Sequence, residues 1–294
     1  MHPRRAAGAP GRRRIAGGLR RRNRSHPGTV SDDVADSAAP APDGDNRGSA
    51  VVTGGTQGIG HAIAMTLAAQ GWRVAVMGRN EITGRAAAAR LGTRHRFISC
   101  DVSDESRIPE AFAEVEKELG RVEVLVNNAG VGRVAAFEEV TSDDWDALMA
   151  VDLKAAWLCT RAALSGLRAG GGSVVNIASI HAHLTRPGLF PYAAAKAGIL
   201  GLTRSMALEL AADDVRVNAV CPGYVRTPPM VAQYDGMPDP TAAWKRLASV
   251  HPLGRIGEPH EIAAVVAFLA SRAASFVTGA SWDVDGGLGV RFAS

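Results

Sequence analysis

From residue 49 onward the chain repeats one pattern: a short run rich in β-branched residues, then a segment long enough for a helix. The runs fall at 50–53, 73–77, 94–99, 122–126, 173–178, 215–220 and 281–284, and helices are expected near 58–70, 80–91, 104–119, 141–168, 191–212 and 258–271. Strands joined through helices pair in parallel, because each crossover brings the chain back to the same end of the sheet. The runs VEVLVNN and SVVNIAS are almost continuously apolar, as expected of strands covered on both faces. The pattern therefore predicts a single α/β domain over 48–294. Its core would be a doubly wound parallel sheet of about seven strands, with helices on both faces and ligands at the carboxyl ends of the strands. Only 223–257 breaks the rhythm; rich in Pro and Gly and weakly periodic, it reads as a mobile substrate loop.

The charge balance needs to be placed before it is used. The sequence carries a net charge of +4, but residues 1–47 hold ten Arg against five Asp, while the remainder has 23 basic and 24 acidic residues. A nucleic-acid footprint should be a basic face on the fold, so no nucleic-acid partner is expected. The Arg, Gly, Ala and Pro of 1–47 show no periodic apolar face, and a disordered extension is expected there. Arg12, Arg13 and Arg14 suggest an export signal, but the apolar stretch that should follow is missing. A transit peptide is the other targeting reading, since no acidic residue precedes Asp32; an over-extended start, with translation beginning near Val30, is preferred to both. No apolar run reaches the ~18 residues a membrane span needs. Cys100, Cys159 and Cys221 form no CxxC pair, which suits a reduced cytoplasmic protein with no metal site.

After the first predicted strand comes Thr53-Gly54-Gly55-Thr56-Gln57-Gly58-Ile59-Gly60, running directly into a helix. Glycines there let the backbone approach a pyrophosphate, and the helix start offers free N–H groups and a positive dipole end. The GxxxGxG spacing resembles the short-chain dehydrogenase/reductase family. Further landmarks of that family follow in order: Asn127-Asn128-Ala129-Gly130, Ser179, Tyr192, Lys196, Pro222-Gly223 and Asp285-Gly286-Gly287. The resemblance spans about 49–290 and implies a Rossmann-type fold, nicotinamide-dependent hydride transfer, and commonly a homotetramer built through the two long helices. It also implies cofactor contacts: Gly54, Thr56, Gln57, Gly58, Ile59 and Gly60 at the phosphates, Asp101 and Val102 at the adenine, and Asn128, Ala129 and Gly130 along the ribose path. Tyr192 and Lys196 would meet the nicotinamide ribose, and Thr227 the carboxamide, carried by the loop with Pro222, Gly223 and Val225.

The second strand ends in Gly78-Arg79, where a carboxylate would favour NAD and an arginine would pair with a 2′-phosphate. With no acid before Glu81, NADP(H) is the expected cofactor and NAD(H) the disfavoured alternative.

Tyr192 and Lys196, spaced i, i+4, share one helix face. A phenol is a poor acid–base at neutral pH, but a nearby ammonium stabilises the phenolate. Tyr192 could then exchange a proton with a carbonyl or alcohol oxygen that Ser179 positions. Tyr192→Phe should bind cofactor but lose most turnover. The family usually places Asn where this chain has Asp152, and uses it, partly through its carbonyl, to hold a water against the lysine. Asp keeps the carbonyl, cannot donate as an amide can, and should draw Lys196 toward its charged form. His181 and His183 lie just past Ser179 with no carboxylate partner evident in the sequence, and read as polar lining of a substrate wall. No HExxH or clustered Cys/His pattern suggests a metal.

The substrate expectation stays at a carbonyl/secondary-alcohol couple: 3-oxoacyl, polyketide or sugar-acid type, as a small molecule or an acyl thioester. Thr185-Arg186-Pro187 resembles gluconate 5-dehydrogenases, and NAVCPGYVRTPP resembles 3-oxoacyl-carrier-protein reductases, polyketide ketoreductases and hydroxybutyrate dehydrogenases. A non-catalytic, redox-sensing cofactor-binding protein on the same fold is the alternative; the presence of Ser179, Tyr192 and Lys196 together counts against it.

Overall fold

The computed structural model describes residues 48–132 and 134–291; the extension expected at 1–47 lies outside the described residues. Seven strands, β1 (Ser49–Thr53), β2 (Arg73–Gly78), β3 (Arg96–Ser99), β4 (Val122–Asn127), β5 (Ser173–Ile177), β6 (Arg216–Pro222) and β7 (Ser281–Val284), form one sheet. Their order is β3-β2-β1-β4-β5-β6-β7 and every pairing is parallel. The chain reverses its direction of travel across the sheet between β1 and β4, which opens a crevice at their carboxyl ends.

The connecting helices are α1 (Gly58–Ala69), α2 (Glu81–Leu91), α3 (Arg107–Leu119), α4 (Ser142–Met149), α5 (Ala155–Gly170), α6 (Tyr192–Leu210), α7 (Pro228–Asp235), α8 (Pro240–Ser249) and α9 (Pro259–Ala270). They make two cores, one on each face of the sheet. Ile108, Phe112 and Val115 of α3 pack with Leu158 and Leu167 of α5 and with Met206 and Leu210 of α6 over one face. Ile63 and Leu67 of α1 pack with Ile262, Val266 and Leu269 of α9 over the other. β1 is wholly buried, which is why its sequence needs no polar alternation.

Two expectations are corrected. The single helix expected over 141–168 is interrupted: Ala150–Lys154 forms one π-helical turn between α4 and α5. The segment 223–257 is not one loop but carries α7 and α8. Each of these begins with Pro at its first helical position, and the Asp239 side chain caps α8 by accepting from Ala242 N–H at 2.9 Å. Helices of eight and ten residues are too short for periodicity to stand out. Smaller shifts also occur, with β3 starting at Arg96 and β6 running on to Pro222.

A buried polar chain ties the site-bearing elements together. The Asn127 amide of β4 donates to Asn176 of β5 at 2.9 Å, and the Asn176 amide donates to Thr203 of α6 at 2.9 Å. Paired buried polar groups of this kind fix one arrangement of the elements that carry them. Here they hold α6, which begins at Tyr192, against the sheet.

Candidate active site

At the crevice, Gln57 precedes α1 without placing a side chain over its first turn, so the opening N–H groups remain for a ligand. Gly60 is required there, since a Cβ would lie 2.3 Å from the Gly54 carbonyl oxygen and 2.4 Å from the Asn128 amide. Thr53 locks the neighbouring strand: its Oγ1 accepts from the backbone N–H groups of Asn128 and Ala129, each at 3.0 Å. The Asn128 amide returns the contact by donating to the carbonyls of Thr53 and Gly54 at 3.0 and 3.1 Å.

The resulting cleft has a volume of about 330 Å³. Gly54, Thr56, Gln57, Gly58, Ile59 and Gly60 form its floor, and Gly78 and Arg79 lie at the end of β2. Asp101 and Val102 line it after β3, Asn128, Ala129 and Gly130 after β4, and Thr227 and Pro229 line it from the start of α7. Pro222, Gly223 and Val225 do not line it. Gly223 N–H instead donates to Val284 at 3.0 Å and Val225 is buried, so these residues set the path that carries Thr227. A second recess of about 430 Å³ opens beside Arg79 and is lined also by Asn80, Thr83 and Arg90. Arg90 was not singled out from the sequence. Asp101 lies 3.8 Å from Arg79 across this end, with both side chains substantially exposed.

Deeper in, Ser179 follows β5 and is buried, its hydroxyl accepting from His181 N–H at 3.2 Å. Tyr192 opens α6, and the Lys196 ammonium lies 5.5 Å from its ring centre. Lys196 itself is almost fully buried and donates to the Ile177 carbonyl at 3.3 Å. Asp152 faces it from the π-helical turn, with Oδ2 3.1 Å from the ammonium while Oδ1 accepts from Val131 N–H at 2.7 Å. Oδ2 has no donor aligned on it as a hydrogen bond, so the ammonium charge is what compensates it. A π turn widens the helix by one residue and redirects side chains, and here it delivers a carboxylate inward with no exposed surface. Gly130 leaves room for the pair, because a Cβ there would sit 3.1 Å from Asp152 Oδ2 and 3.3 Å from Lys196 Nζ. A cavity of about 10 Å³, the size of one water, adjoins Asp152, Lys196, Asn127 and Thr53.

Burial alone would push Lys196 toward its neutral form, but Asp152, and after it Tyr192, raise it above the ordinary lysine value. Lys196 is therefore a cation throughout the neutral range. His181 goes the other way: burial holds it below the ordinary imidazole value, so it is mainly neutral at pH 7. Its ring meets Tyr192 and Tyr224 edge-on, with centroids 6.2 and 6.1 Å apart. His183 does have a carboxylate partner, which the sequence did not reveal: Asp283 Oδ1 lies 3.4 Å from its Nε2.

Residues 54–289 match the family model described as enoyl-(acyl carrier protein) reductase. The chain belongs to the short-chain dehydrogenase/reductase family. It is 38% identical to the D-beta-hydroxybutyrate dehydrogenase of Cupriavidus necator, over 82% of this chain and 98% of that one. It is 40% identical to the acetoacetyl-CoA reductase of Shinella zoogloeoides, over 81% and 97%. A D-threitol dehydrogenase of Mycolicibacterium smegmatis is 39% identical over 82% and 93%. The family is one of nicotinamide-dependent oxidoreductases, and in this chain the cleft lies at the carboxyl ends of a parallel sheet.

The Lys196–Asp152 pair also bears on stability. Asp152→Ala should leave a buried ammonium without its counter-charge and cost ~3–5 kcal/mol of unfolding free energy at neutral pH. Lys196 is raised in the folded state, so the lysine's share of this contribution is complete below the unfolded lysine's pKa of about 10.4 and fades as pH climbs through the higher folded value. Chemical denaturation at pH 7 checks this, and a loss under about 1 kcal/mol contradicts it.

Proposed function

We propose that the chain catalyses hydride exchange between NADP(H) and a carbonyl/secondary-alcohol pair, with 3-oxoacyl and 3-hydroxyacyl compounds as the favoured substrates. The observation that carries the reading is the cluster of Tyr192, the buried Lys196 cation and Asp152, close to a cleft fitted for a dinucleotide. The cleft fits because its glycine floor admits a pyrophosphate and the start of α1 carries no side-chain cap. Asp101 and Val102 would hold the adenine, Asn128 and Gly130 the ribose path, and Thr227 the carboxamide. When bound, the nicotinamide supplies or takes up the hydride.

The chain's own residues manage the oxygen and its proton. Tyr192 protonates the carbonyl oxygen in reduction, or removes the alcohol proton in oxidation. Lys196, fixed as a cation, stabilises the phenolate that Tyr192 becomes. Ser179, held by the turn that follows β5, donates its hydroxyl to the same oxygen and stabilises the charge developing there. Neutral His181 and Tyr224 line the approach and help exclude water.

Two arginines, Arg79 and Arg90, on a recess with no carboxylate among its lining residues support NADP(H) over NAD(H). The relatives named for acetoacetyl-CoA reduction and hydroxybutyrate oxidation support the acyl substrate class, and the D-threitol dehydrogenase relative supports sugar alcohols as the second class. Free, buried Cys100, Cys159 and Cys221 support a reducing, cytoplasmic setting. Exposed Trp157 on α5 and Leu208 on α6 support a homotetramer assembled through those helices.

Tyr192→Phe should bind NADPH as the parent does, by fluorescence titration, while its kcat on acetoacetyl thioesters falls at least about a hundredfold. Turnover within a few-fold of the parent would refute the role. Replacing Arg79 and Arg90 with Ser together should raise KM for NADPH by roughly tenfold or more while leaving NADH almost unaffected. An equal effect on both coenzymes would remove the selectivity assignment.

A further inference from the structure

On the far side of the Ser179 turn, three side chains converge from separate elements. Cys221 comes from β6, Asp283 from β7, and His183 closes the 3-10 turn Ile180–Ala182 that starts at Ser179. His183 Nε2 lies 3.4 Å from Asp283 Oδ1 and 3.8 Å from Cys221 Sγ, and one ligand atom from each residue falls within 4.8 Å of the others.

The two His183 separations come within a few tenths of an ångström of those between ligands on one metal ion. With a Zn–N bond of about 2.0 Å, Zn–O of about 2.1 Å and Zn–S of about 2.3 Å, a tetrahedral centre sets neighbouring N and O roughly 3.4 Å apart and N and S roughly 3.5 Å apart. One imidazole, one sulfur and one carboxylate are borderline-soft donors, which suit Zn²⁺ and disfavour Mg²⁺ or Ca²⁺. Cys221 is fully buried, while the His183 and Asp283 side chains are 40% and 43% exposed, so a cation can enter from solvent and keep a water as fourth ligand.

We propose that Cys221 Sγ, His183 Nε2 and an Asp283 carboxylate oxygen bind one Zn²⁺ ion, which clips the edge strand β7 and the Ser179 turn to β6. The thiol releases its proton to solvent as it becomes a thiolate ligand. The ion is structural: it restrains the backbone that carries Ser179, and the hydride and proton transfers do not pass through it.

The test uses the full chain stripped with chelator and titrated with Co²⁺, then Zn²⁺. One equivalent of Co²⁺ should bind with a strong thiolate-to-cobalt absorption in the near ultraviolet, and Zn²⁺ should displace it. Cys221→Ser should abolish the band. Asp283→Asn and His183→Gln, both at half-exposed positions, should each weaken Co²⁺ binding by at least about tenfold and cancel the rise in Tm that Zn²⁺ gives the parent. These two variants decide the matter if Cys221→Ser folds poorly. Absence of the thiolate band at excess Co²⁺, or a band and affinity unchanged in both Asp283→Asn and His183→Gln, would overturn the proposal and leave the trio as a hydrogen-bonded cluster.

Discussion

The site depends on keeping a charged lysine inside the protein. An ammonium taken out of water costs several kcal/mol unless a counter-charge and hydrogen-bond partners replace the solvent. Lys196 receives both, from the Asp152 carboxylate at 3.1 Å and the Ile177 carbonyl at 3.3 Å. Each requirement then propagates outward. Asp152 must point inward, and the π-helical turn between α4 and α5 does this. The ion pair must have room, and Gly130 leaves it. Asp152 Oδ1 must find a donor, and Val131 N–H supplies one. The last contact reaches further, because Val131 also lines the cleft at the carboxyl ends of the strands. One carboxylate thus joins the wall of that cleft to Lys196.

The same logic accounts for the polar chain through the sheet. Asn127, Asn176 and Thr203 lie at the level of the site, where an apolar core would pack as well but would fix position less sharply. With Thr53 stitched to Asn128 and Ala129, hydrogen bonds link the carboxyl ends of β1, β4 and β5 to the middle of α6. In the 223–257 segment, His251 anchors the returning chain by accepting from Tyr224 N–H at 3.3 Å.

Much of this could be read from the residue order. Strand after helix after strand forces a parallel doubly wound sheet, and the glycine turn and the i, i+4 Tyr192–Lys196 pair are local signals that survive without coordinates. What escaped was non-local or too short to be periodic. The π turn inserts one residue into an otherwise helical pattern, and amphipathicity over 141–168 cannot register that. The helices α7 and α8 are short and begin at prolines that read equally well as turns. Arg90 sits a full helix away from Arg79 in sequence and reaches the same recess only because α2 folds back along β2. Asp283 finds His183 across a strand pair whose register no local pattern encodes. Asp152 was legible as a departure from the family's usual Asn, but its direct contact with the lysine was not.

The central claim is that Asp152 acts on the proton relay through its charge. With the carboxylate gone, burial draws Lys196 toward its neutral form, and the Tyr192 phenolate loses part of the cation that stabilises it. The most direct measurement is therefore the pH dependence of kcat/KM for alcohol oxidation in the parent and in Asp152→Asn, with NADP⁺ binding measured alongside. The expected result is a rising limb displaced to higher pH by about one unit, at unchanged NADP⁺ affinity. A limb that stays in place or moves to lower pH would contradict it.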